Sequence, residues 1–80
     1  MYLEIFTPEK RLFKGEVDLV QVPGTKGSFE ILHNHAPIIS TLDPGNIKIT
    51  KSLGGTDIFQ IAGGVIEVKN NKIIILAEKA

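Results

Sequence analysis

The stretch that decides the fold is Val65-Ile66-Glu67-Val68-Lys69-Asn70-Asn71-Lys72-Ile73-Ile74-Ile75-Leu76. It lies in the only long segment without glycine or proline, Val65 to Ala80, and so has the best opportunity to be a helix. Its composition argues otherwise. Valine and isoleucine are stiff at χ1 and pack better on a pleated surface than on a helix. The Asn70-Asn71 pair splits the segment with residues that tolerate positive φ, as a two-residue hairpin turn requires. Val65–Lys69 is therefore expected to pair with Lys72–Leu76 as a hairpin.

Outward from that hairpin the chain repeats the same pattern. Pro8, Gly15, Pro23-Gly24, Gly27, Asn34 to Pro37, Asp43-Pro44-Gly45, Gly54-Gly55 and Gly63-Gly64 act as turn signals. They recur about every 8 to 10 residues, the spacing of a sandwich or barrel. Between them, Leu3 and Ile5, Val20 and Val22, Ile47 and Ile49, and Phe59 and Ile61 stand two residues apart. That period gives each strand one buried and one wet face. The fold expected is an all-β, flattened β-sandwich of two mainly antiparallel sheets, with eight to ten short strands and no substantial helix. Residues 1–80 form one domain, because a chain of this length supports a single thin core.

Composition narrows the function. Nine Lys plus Arg balance nine Asp plus Glu, with the signs interspersed. The field that would collect phosphate backbones or anionic lipid is missing, so neither nucleic acid nor direct membrane adsorption is expected. The five aromatics, Tyr2, Phe6, Phe13, Phe29 and Phe59, are too scattered for a base-stacking platform, which also disfavours an oligonucleotide-binding barrel. The apolar runs Ala36–Ile39 and Ile73–Ala77 fall far short of the roughly 20 residues that cross a bilayer. Met1-Tyr2-Leu3-Glu4 lacks a basic region and reads as a strand rather than a signal peptide. With no cysteine there is no disulfide, and the chain fits a reducing compartment.

Catalytic signals do not accumulate. Gly24-Thr25-Lys26-Gly27 shuffles the letters of a phosphate-binding loop without its spacing, and reads as a tight turn with a solvated lysine. His33 and His35 form an H-x-H pair that would start a zinc site, but a third ligand is needed, and nothing in the spacing nominates Glu30 or Asp43. The alternative is an exposed loop with Asn34 in a left-handed conformation and Pro37 stiffening the exit. No cofactor is expected. Phe13 and Phe29 sit beside turn signals, as either core residues or interface anchors.

Read as strings, several stretches in order resemble the epsilon subunit of F-type ATP synthases. They are Leu12-Phe13-Lys14-Gly15-Glu16-Val17, Val22-Pro23-Gly24-Thr25-Lys26-Gly27, His35-Ala36-Pro37-Ile38-Ile39, Leu42-Asp43-Pro44-Gly45 and Ala62-Gly63-Gly64-Val65-Ile66-Glu67-Val68, with a last strand Ile73-Ile74-Ile75-Leu76-Ala77. The resemblance covers the whole chain and implies a sandwich of two five-stranded sheets wedged between the gamma subunit and the c-ring. There it would transmit proton-driven rotation to the catalytic head, making and breaking no bond and binding no nucleotide. It implies a peripheral position at the cytoplasmic face of a bacterial inner or plasma membrane, reached only through the complex. The resemblance assigns Gly27, Ser28, Phe29, His35, Ala36 and Pro37 to the ring contact, and Phe13, Ile39 and Leu42 to the gamma contact.

Two departures stand out. Family members commonly carry Gly-Ile-x-Pro-Gly-His-Ala-Pro, where this chain reads Glu30-Ile31-Leu32-His33-Asn34-His35-Ala36-Pro37. Many also continue into an inhibitory two-helix hairpin, whereas this sequence stops at Ala80, so inhibition and ATP binding do not carry over. The competing reading is a lipoyl- or biotinyl-type carrier domain modified on Lys72. Against it, Asn71 and Ile73 are not the usual flanks of a carrier lysine, and the chain is neutral where such domains are acidic.

Overall fold

A computed structural model describes residues 1–79. It contains seven strands: β1 (Tyr2–Phe6), β2 (Arg11–Val22), β3 (Phe29–Ile31), β4 (Ile38–Leu42), β5 (Gly45–Lys51), β6 (Thr56–Lys69) and β7 (Lys72–Lys79). No helix occurs among the described residues. The all-β reading holds, and the deciding hairpin pairs as expected, with Val65 opposite Leu76 and Lys69 opposite Lys72. Asn70 and Asn71 both have positive φ, 52° and 61°, the signature of a type I′ turn.

The strands run β1-β7-β6-β5-β2-β3, with β4 attached to β6. Because β1 also pairs with β2, five of them close into a barrel, and β3 and β4 hang from its rim. All pairings are antiparallel except β1 with β7. This corrects the expectation of eight to ten short strands in two sheets: the sheet is one, and it has seven strands. The overcount came from treating every glycine signal as a turn. Gly15 lies inside β2, and Gly63-Gly64 lies inside the 14-residue β6. β2 pairs with β1 along its first half and with β3 and β5 along its second. β6 pairs with β5 first and then with β4 and β7. Each long strand therefore passes from one set of neighbours to another along its length.

This change along β6 has a local cause. Its register against β7 slips between Ile61 and Gly63, and Gly63 has a φ of 143°. A Cβ on Gly64 would run into the carbonyl oxygen of Leu76, so only glycine permits this approach of β6 to β7.

The barrel interior holds the apolar residues of the period-two pattern: Leu3 and Ile5 from β1, Ile47 and Ile49 from β5, Ile66 and Val68 from β6, and Ile73 and Ile75 from β7. Fully burying such a side chain stabilises by about 1.5 to 3 kcal/mol. In β2 the period breaks, because Val17 and Val20 are both buried with three residues' spacing between them. The register against β5 slips between Val17 and Leu19, which makes Asp18 the extra residue of a bulge. Buried polar side chains are absent among the described residues, so apolar burial and the ladders hold the barrel.

Candidate functional site

Strand β4 sits at a rim and is tied on its outer side to the β2–β3 connection. Thr25 N–H donates to Thr41 O at 3.2 Å, and Asp43 N–H to Pro23 O at 2.7 Å. The connection turns tightly, with Gly27 N–H bonded to Gly24 O at 3.0 Å. Gly24 is buried beneath the Phe29 ring, which would meet a Cβ there at 2.7 Å. Phe29 is half-buried and packs against the core while its outer edge lines a shallow depression. Gly27, Ser28 and Ile39 line the same depression. The fold thus brings three residues assigned to the ring contact beside one assigned to the gamma contact.

His35, Ala36 and Pro37 form the end of the β3–β4 loop and lead directly into β4. His35 N–H donates to Leu32 O at 3.2 Å, and its Nδ1 donates to Ala36 O at 2.7 Å. Asn34 has a φ of 61°, the left-handed conformation that a glycine at this position would supply freely. Its N–H donates to Asn71 Oδ1 at 2.9 Å, tying the loop to the β6–β7 turn. His33 turns instead toward β1 and β2. Its Nε2 is 3.3 Å from Asp18 Oδ1, and its Nδ1 is 3.3 Å from the Met1 nitrogen. The two histidines do not converge, and among the described residues no group of three His, Asp or Glu side chains is arranged to hold a metal.

The remaining assigned residues separate. Ile39 is 72% exposed, whereas Leu42 is 4% exposed and is a core side chain. Phe13 lies opposite Ile5 on β1, so it points to the inner side, where its ring meets Phe59 edge-on at 6.1 Å. Its exposed edge lines a different recess, with Lys14, Ser52 and Leu53. Lys72 opens β7 rather than capping a hairpin, and its Nζ lies 5.6 Å from the centre of the Tyr2 ring. It is not a lysine displayed at a turn tip, as a carrier arm needs.

One surface was missed from the sequence. On the outer side of the layer β4-β6-β7-β1, Thr41, Val65, Leu76 and Phe6 stand side by side across four strands. Ile39, Glu67 and Ile74 form the neighbouring row. Val65 is 40% and Leu76 58% exposed, so the row is an apolar strip open to solvent. The sequence did carry a signal. Ile73 to Leu76 is apolar at every position, whereas an antiparallel strand with one wet face alternates.

An apolar strip beside a rim depression defines a docking surface. Comparison with known proteins agrees. Residues 1–80 match the family model described as the ATP synthase delta/epsilon chain, beta-sandwich domain. The ATP synthase epsilon chain of Chlorobaculum tepidum is 44% identical over 96% of this chain and 88% of its own length. That of Dichelobacter nodosus is 43% identical over 95% of this chain, but this chain spans only 53% of it. A chain of the Euglena gracilis mitochondrial ATP synthase superposes with a TM-score of 0.87 at 22% identity, over 94% of this chain and 48% of its own, and so shares the fold. The chain belongs to the ATP synthase delta/epsilon family, as its β-sandwich domain.

Proposed function

We propose that residues 1–80 are a single epsilon-type domain working as a non-catalytic rotor piece, which links a gamma subunit to a c-ring and carries proton-driven rotation to the catalytic head. Taken as two layers, the closed sheet is the flattened sandwich of the family description. Its two long strands pass through both layers, so a torque applied to one layer reaches the other through continuous backbone. That property suits a part whose work is to resist shear.

The observation that carries this reading is the pair of surfaces that meet along β4. The β2–β3 turn at Gly27, Ser28 and Phe29, with His35, Ala36 and Pro37 in the next loop, is assigned to the ring. The strip headed by Ile39, extended by Val65 and Leu76, is assigned to gamma, with Leu42 supporting it from below and Phe13 reaching the same partner from the other recess. In the bacterial setting of the curated relatives the domain would sit at the cytoplasmic face of the membrane, held there by the complex.

The test is to tag the chain, solubilise membranes gently and measure what co-purifies. The reading expects a gamma subunit, the head and the c-ring, with one copy of this chain per complex. Recovery of the chain alone at low salt would refute it.

A further inference from the structure

The β3–β4 loop departs from the family string at His33 and Asn34, and the structure gives both residues partners. Asn34 donates to Asn71 across the barrel end. His33 enters a chain of hydrogen bonds that joins four segments. The Met1 nitrogen can only donate, so His33 Nδ1 accepts, and Nε2–H is left to donate to Asp18 Oδ1. Ser52 Oγ, from the β5–β6 turn, donates to the same Asp18 oxygen at 2.9 Å. Asp18 is the bulged residue of β2, the extra residue of the ladder against β5. The slip leaves Asp18, exposed like Lys14 and Glu16 before it, without a ladder partner on β5, between Val17 opposite Lys51 and Leu19 opposite Thr50. The bulge and the hydrogen-bond chain are separate observations on the same residue.

We propose that Asp18 is the positioning residue of the β3–β4 loop, clasping it through His33 while Ser52 braces the carboxylate. Its consequence for the synthase, that the clasp presets His35–Pro37 for the ring, rests on the function proposed above. Fixing a docking loop before contact lowers the ordering cost of binding, so the clasp acts on affinity without touching the partner.

The experiment compares amide hydrogen exchange in the 80-residue chain and in Asp18→Ala, Asp18→Asn and Ser52→Ala variants. An exposed pair is worth under about 1 kcal/mol, so exchange at Asn34 and His35 should quicken by about two- to fivefold in Asp18→Ala. Amides of Ile66 and Ile75 should keep their rates. Asp18→Asn retains an acceptor oxygen and should restore most of the protection, while Ser52→Ala should loosen the loop less than Asp18→Ala. Unchanged loop exchange in Asp18→Ala overturns the clasp, and so does equal acceleration throughout the barrel. Affinity for synthase complexes stripped of this chain is then measured. A loosened loop with weaker binding supports both claims; a loosened loop with unchanged binding keeps the clasp and refutes the ring assignment.

Discussion

Replacing Phe29 with alanine separates the two parts that this residue is assigned, a wall of the rim depression and a support of the core. The ring is half-buried, packs against the core cluster and covers Gly24. A fully buried phenylalanine costs about 3 to 5 kcal/mol when cut to alanine, so a half-buried one should cost about 2 kcal/mol. A chain of 80 residues has roughly 4 to 12 kcal/mol of stability, so the variant stays folded. At about 4 to 8 °C per kcal/mol for a domain of this size, its Tm should fall by about 8 to 16 °C. Urea unfolding should show a lower midpoint at unchanged slope, which marks lost stability rather than a changed unfolded state. Ile39→Ser is the control: at 72% exposure it should alter stability by less than about 0.5 kcal/mol while weakening assembly into the synthase. A Phe29→Ala variant that loses less than about 0.5 kcal/mol would show that the ring is not packed as described, and the depression would lose its wall.

Gly64→Ala should be more damaging than its size suggests, because the new methyl meets the Leu76 carbonyl at a φ of 157°. Strained backbone and a disturbed β6–β7 ladder together should cost on the order of 3 kcal/mol, read by thermal unfolding. A neutral result would mean that β6 can bend elsewhere. Stability should also depend on Asp18 in acid. The Ser52 hydroxyl, then the His33 ring, hold its carboxyl below the ordinary value of 3.8. A carboxyl depressed in the folded state contributes stability that is present above its unfolded value and lost as pH falls through the folded one. The urea midpoint should therefore decline below about pH 4, and Asp18→Asn should flatten that decline.

The fold was legible wherever one rule governed a segment. The Val65–Leu76 hairpin followed from β-branched residues around Asn-Asn, and its register was right to the residue. The strand count failed at Gly15 and Gly63-Gly64, because the same residue type makes turns and lets a long strand bend; only the pairing partners distinguish them. Asp18 was invisible for a related reason. A bulge changes inward-facing spacing from two to three, and Val17 with Val20 looks like noise until β5 is placed beside them. At the site, the glycine turn and the His-Ala-Pro loop were assigned through resemblance, and the structure places Gly27, Ser28 and Phe29 beside Ile39. Leu42 was misjudged as a surface residue because an apolar residue next to a turn carries no mark of which way it faces. The Val65–Leu76–Phe6 strip required the cross-strand register, which links residues far apart in sequence.

The central claim is that this chain couples rotation without taking part in catalysis, and inverted membrane vesicles prepared without it test that directly. The quantity to measure is protons pumped per ATP hydrolysed, before and after adding the purified 80-residue chain. Hydrolysis should persist without the chain while pumping per ATP collapses, and adding the chain back should restore the ratio. Full pumping efficiency in its absence would contradict the account.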